Sequence, residues 1–165
     1  MKRITKRLIE RRCLICGTTT FMVVDEQRYH LIMEHIYAQD NHLNRKLIQE
    51  ALPFLEPFAK ELVKTGYCQK CQEILLHSKL KEEEKENYFT VDDVAGKKMD
   101  DFIEYKYTYG VEKTITDGLA TGLSMPQKLI LMHELDLWDD VQLDDSDNLI
   151  LIPLDEKKDG ESHDH

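Results

Sequence analysis

Apolar positions along the chain change their period several times, and each change marks an expected element. Thr18-Thr19-Thr20-Phe21-Met22-Val23-Val24 is β-branched and aromatic, which predicts a strand. Asp25 then stands where it can cap a helix whose Tyr29, Ile32, Met33, Ile36 and Tyr37 recur at helical spacing. A second helix is expected from Asn41 to Leu52, with Leu43, Leu47, Ile48 and Leu52 on one face. Pro53 and Pro57 lack the N–H that a helix interior needs, so they force a break and a restart. Phe58, Ala59, Leu62 and Val63 resume the stripe up to Gly66, a residue suited to the left-handed end of a helix. Ile74, Leu75 and Leu80 predict a further helix that begins at Cys68–Cys71 and runs out along the charged residues 79–87.

The second half is less regular. Ile103, Tyr105, Tyr107, Tyr109 and Val111 alternate with Glu104, Lys106, Thr108 and Gly110, a period of two that predicts a half-buried strand. Thr114-Ile115-Thr116 reads as its hairpin partner or as a lead into Asp117-Gly118. Ser124 and Gln127 form a capping-box pattern around Pro126 and open a helix over Met125–Trp138. Leu149-Ile150-Leu151-Ile152 reads as a short buried strand. At the other end, Ile4, Leu8 and Ile9 lie among Lys2, Arg3, Lys6, Arg7, Arg11 and Arg12, which fits a short amphipathic helix or a basic arm. The expected fold class is α+β. Residues 1–87 form a mainly helical module, residues 88–155 a small acidic α+β domain, and residues 156–165 a disordered tail.

Charge sharpens that division. The formal net charge is −10, but residues 1–80 carry 13 basic and 9 acidic side chains, and residues 81–165 carry 9 and 23. Halves this different suit different partners. The acidic half argues against coating of nucleic acid by the whole chain, because phosphate would repel it. No window approaches the roughly 18 consecutive apolar residues that span a bilayer, so no membrane partner is expected. The basic N-terminus is not followed by the apolar run of a cleavable signal, so the expected location is the cytoplasm.

The four cysteines carry the clearest chemistry. Cys13 and Cys16 form one CxxC pair, Cys68 and Cys71 another, with 51 residues between the pairs. A CxxC turn lets two thiolates converge on one ion at ~2.3 Å while nearby amides donate to sulfur. Gly17 can relieve the tight turn after the first pair, and the second pair sits at an expected helix start, where the helix dipole favours thiolate. A knuckle followed by a strand, with the second ligand pair in the first turn of a helix, resembles treble-clef zinc fingers. The resemblance is local to the two pairs and implies one structural zinc ion held by Cys13, Cys16, Cys68 and Cys71. The long gap implies a helical insertion between the knuckles. Disulfides, redox thiols and an iron–sulfur cluster are the alternatives that the same residues allow. Four cysteine ligands would fill a zinc shell and leave no open position for a substrate.

Other constellations fall short. His30-Leu-Ile-Met-Glu34-His35 has one residue too many for HxxEH, and His133-Glu134 has Leu137 where HExxH needs histidine. Gly118–Ser124 before the expected helix over Met125–Trp138 is a weak candidate for a helix-turn-helix turn, in strongly acidic surroundings. Tyr105, Tyr107 and Tyr109 read either as rings covering the second domain's core or as a base-stacking face. Two functional expectations remain. One is a zinc-stabilised regulatory or adaptor protein that binds another protein through its acidic half. The other is a zinc-finger-type regulator that contacts nucleic acid through Lys2, Arg3, Lys6, Arg7, Arg11 and Arg12. No catalytic residues are expected.

Overall fold

The computed structural model describes residues 6–40 and 47–153, which fall into two compact units dividing between Asp93 and Val94. Lys2, Arg3, the first part of the expected helix over 41–52 and the charged tail at 156–165 lie outside the described residues. The chain is mixed α+β, with small antiparallel sheets and several helices.

The first unit is built on a three-stranded sheet in the order β1-β2-β3. Strand β1 (Lys6–Arg12) pairs antiparallel with β2 (Thr19–Asp25), and β2 pairs with β3 (Tyr88–Thr90). The basic segment is thus neither a helix nor an arm over Lys6–Arg12. Leu8 and Ile9, adjacent and both fully buried, point to opposite faces of the sheet, and only a strand allows that. β3 also explains why the division between units falls after residue 87: Tyr88, Phe89 and Thr90 are paired with Met22, Phe21 and Thr20 of the first sheet.

Helix α1 (Glu26–Asp40) starts directly after β2, where Asp25 Oδ1 accepts from the backbone N–H of Arg28 at 2.8 Å. A short α2 (Ile48–Ala51) precedes α3 (Pro57–Thr65), which has proline at its first position and Gly66 at φ 81° as its left-handed end. α4 (Gln69–Leu76) begins at Cys68 and ends at His77, and a 3-10 turn over Glu82–Asn87 leads into β3. The expected extension of α4 along residues 79–87 is therefore replaced by a turn. The core lies between the sheet and α1, α2 and α3, where Ile9, Met22, Ile32, Leu52, Phe58 and Leu62 are all buried. Burial of side chains this size contributes roughly 1.5–3 kcal/mol each. Cys13, Cys68 and Cys71 form a separate buried cluster beside Tyr67.

Beyond the short α5 (Val91–Val94), the second unit holds α6 (Lys97–Tyr109), α7 (Val111–Thr116), α8 (Met125–Glu134) and the hairpin β4 (Val141–Leu143)–β5 (Leu149–Leu151). α6 packs against α7 and α8, and α7 against β5. The expected strand over 103–111 is instead the end of α6, Gly110 and the first residue of α7. Met99 and Phe102, three apart, are the buried pair of α6, while Tyr107 and Tyr109 are 70% and 55% exposed and cover no core. As α6 is a helix, Tyr105 and Tyr109, four apart, share a face, and their rings lie 4.5 Å apart at their centroids. Likewise Thr114-Ile115-Thr116 is the end of α7 and not a hairpin partner. The capping box at the start of α8 is complete: Gln127 N–H donates to Ser124 Oγ, and Ser124 N–H to Gln127 Oε1.

Candidate metal centre

Both cysteine pairs are placed by ordinary local structure. Cys13 follows the last residue of β1, and the turn to β2 closes with Cys13 N–H donating to Thr18 O and Gly17 N–H to Cys13 O, each at 2.8 Å. Gly17 sits at φ 80°, a left-handed conformation that a side chain would strain. The second pair comes from α4. Cys68 is its N-cap, in the extended region at φ −71° and ψ 170°, and Cys71 lies in its first turn.

The turn and the helix start bring the four sulfurs together, all within 4.8 Å of one another. Cys16 Sγ and Cys68 Sγ, from different pairs, are 3.5 Å apart. Four sulfurs at ~2.3 Å around one tetrahedral ion would stand about 3.8 Å apart, so the spacing suits a metal-binding site. Disulfides are absent, as all four cysteines are free. Cys13, Cys68 and Cys71 are buried, and Cys16 is exposed.

The thiols differ in acidity for visible reasons. A hydrogen bond with the Thr18 hydroxyl, 3.1 Å from Cys16 Sγ, leads in lowering Cys16 to about 6, followed by the Thr18 backbone. Burial pushes Cys13 up, but the backbone amides of Cys68, Cys16 and Ile15 outweigh it and leave this thiol below its usual range. Burial pushes Cys68 up and takes Cys71 to about 12, reinforced by the neighbouring sulfurs. Four thiolates crowded together repel one another. A dication is what lets all four ionise at once, with release of protons on binding.

Comparisons with protein-family models, curated proteins and solved structures give no match.

The basic residues expected to contact nucleic acid are not gathered on one face. Strand alternation puts Lys6 and Arg12 on one side of β1, Arg7 and Arg11 on the other. Arg7 lies over the Tyr29 ring, 4.2 Å from its centroid, with Glu26 at 3.8 Å. Arg11 Nε donates to the backbone carbonyl of Leu62 at 3.3 Å. Two of the four described basic side chains are thus turned onto their own unit. Among the described residues, no helix is long and apolar enough to cross a membrane.

A groove of about 420 Å³ opens beside the cysteines, lined by Cys16, Thr18, Lys70, Glu73, Tyr88 and Thr90 among others. Its Tyr88 hydroxyl donates to Glu56 Oε1 at 2.8 Å. Two side-chain contacts that the sequence did not reveal complete the surroundings of the centre: Arg11 of β1 on the Leu62 carbonyl of α3, and Gln72, whose buried amide bonds two backbone carbonyls. A glutamine directly after a cysteine is not a signal in one dimension. Only the chain path around it gives it meaning.

Proposed function

We propose that Cys13, Cys16, Cys68 and Cys71 hold one structural zinc ion in a treble-clef-like arrangement, and that the protein is an adaptor whose acidic second unit binds another protein. Zinc is favoured by four cysteine sulfurs close enough together to surround one tetrahedral ion. The treble-clef reading draws on a first pair in a hairpin turn and a second pair in the first turn of a helix. A filled shell gives the ion a structural role.

The observation that carries the adaptor reading is the exposure of Tyr107 and Tyr109 on α6 and of Glu104 and Glu112 nearby. Tyrosine is among the side chains that protein interfaces favour at their anchors, and an acidic rim would suit a basic partner. The α6–α7 corner is itself ordered: Tyr105 donates to Asp117, and Lys113 Nζ lies 3.1 Å from Asp117 Oδ2.

The test compares partner capture by the wild type and by Tyr107→Ser/Tyr109→Ser. Loss of one wild-type partner on the double variant, with unchanged folding, is the expected result. Equal capture by both removes this face from the proposal. Anisotropy with duplex and single-stranded DNA and RNA across a salt series is the counter-test: salt-sensitive tight binding would return the function to the basic residues.

A further inference from the structure

Helix α3 touches both halves of the cysteine set. On the β1 side, Arg11 Nε and the Gly66 N–H both donate to the Leu62 carbonyl, at 3.3 and 2.8 Å. A Cβ on Gly66 would stand 2.5 Å from the Arg12 carbonyl oxygen, so the backbone just before Cys13 is pressed against the end of α3. On the α4 side the connection runs through Gln72, which directly follows Cys71 and is only 1% exposed.

Gln72 grips the second pair twice. Its backbone N–H donates to the Cys68 carbonyl at 2.9 Å, which closes the first helical turn. Its side-chain Nε2 donates to the Tyr67 carbonyl at 3.0 Å and to the Phe58 carbonyl of α3 at 3.2 Å. The Tyr67 and Cys68 carbonyls flank the backbone of Cys68, so holding both fixes its torsions and hence the direction of its Cβ–Sγ arm. Phe58 lies in the first turn of α3, which ties that arm to the unit's core.

The side chain is poorly chosen for stability alone. Burying a primary amide carries a desolvation cost, and Gln72 Oε1 is buried without a partner. An apolar side chain of the same length would avoid that orphaned acceptor. What the amide provides is direction, two donors aimed at two fixed carbonyls.

We propose that Gln72 is a positioning residue of the metal centre: with α3 as a bracket, it sets Cys68 and Cys71 at ligand spacing before the ion arrives. The inference rests on reading the four cysteines as one metal site. Ordering the ligands in advance spares the ion that cost on binding, so affinity gains from the bracket. Loss of such an outer contact typically weakens metal binding about 10–100-fold.

The experiment titrates the reduced full chain, as wild type and as Gln72→Met, with Co(II), and then displaces the cobalt with Zn(II). The wild type gives thiolate-to-cobalt charge transfer and the d–d bands of a tetrahedral site. Gln72→Met, folded by circular dichroism, binds about 10–100-fold more weakly with displaced d–d bands. A purely structural role would lower its stability and leave affinity and spectrum alone. Wild-type affinity and spectrum in Gln72→Met overturn the positioning role and leave the metal reading standing. Absence of thiolate bands in the wild type overturns both. Should Gln72→Met fail to fold, the metal-free wild type decides: the bracket predicts Gln72 side-chain amide protons protected from exchange, and exchange at the free rate overturns it.

Discussion

The Cα of Gly66 lies so close to Arg12 that an added Cβ would stand 2.5 Å from the Arg12 carbonyl oxygen and 3.3 Å from its carbon. Both of those atoms are backbone, so no side-chain rotation relieves the contact. Gly66 also adopts φ 81°. Gly66→Ala therefore meets strain twice, and the left-handed conformation alone costs about 1–2 kcal/mol. The expected outcome is a loss of at least that size in urea unfolding, together with displaced amide signals for Arg12 and Cys13. A neutral substitution would mean that β1 and the end of α3 do not meet as described.

Metal removal should leave most of the first unit folded. Its core of Ile9, Met22, Ile32, Leu52, Phe58, Leu62 and their neighbours is a cluster distinct from the buried cysteines. Chelation, or Cys68→Ser, should release the ion, shift amide signals of residues 13–18 and 67–72, and leave far-UV helicity largely intact. Cooperative loss of helicity on chelation would show instead that the ion organises the whole module, as small zinc domains often require.

Phe102 and Tyr107 should answer oppositely to truncation. Phe102 is fully buried and Tyr107 is 70% exposed. Phe102→Ala should cost about 3–5 kcal/mol, and Tyr107→Ser should stay within about 0.5 kcal/mol. A strand over residues 103–111 would instead make Tyr105, Tyr107 and Tyr109 equivalent, and their truncations would then cost alike.

That contrast marks where the sequence is legible. α3 is, because Phe58, Ala59, Leu62 and Val63 face the core and Pro57 and Gly66 end it, so local and tertiary preferences agree. The start of α8 is too, since a capping box is a purely local device. In α6 the tyrosines are a surface pattern, and a surface pattern carries no information about which face is inside. β1 is hidden for another reason: five charged residues in seven mask the adjacent buried Leu8 and Ile9, and pairing with β2 decides the segment. The cysteine pairs were legible as a set, as spacing alone joins them. Gln72, Arg11 and the Gly66 contact were not, because each reaches a backbone carbonyl or a distant strand that one dimension does not bring near.

The turn between β4 and β5 supplies a pH dependence. Asp144 Oδ1 accepts from the backbone N–H of Asn148 at 2.9 Å and of Ser146 at 2.8 Å. These bonds, Asn148 first, hold the Asp144 carboxyl below the usual range. A carboxyl lowered in the folded state adds stability that is fully present above its unfolded value of about 3.9 and is lost as pH falls through the folded value. Amide shifts of Ser146 and Asn148 should therefore titrate together below about pH 4, and Asp144→Ala should abolish the titration. A midpoint above pH 4 would contradict the hydrogen-bonded carboxylate.

Whether the four cysteines hold an ion is read from the metal content of the reduced protein, by native mass spectrometry alongside elemental analysis. One zinc ion per chain is the expected result, lost in Cys16→Ser/Cys71→Ser without loss of the core. Wild-type protein isolated from cells with no bound metal, or with iron and sulfide on the same four cysteines, would contradict that reading.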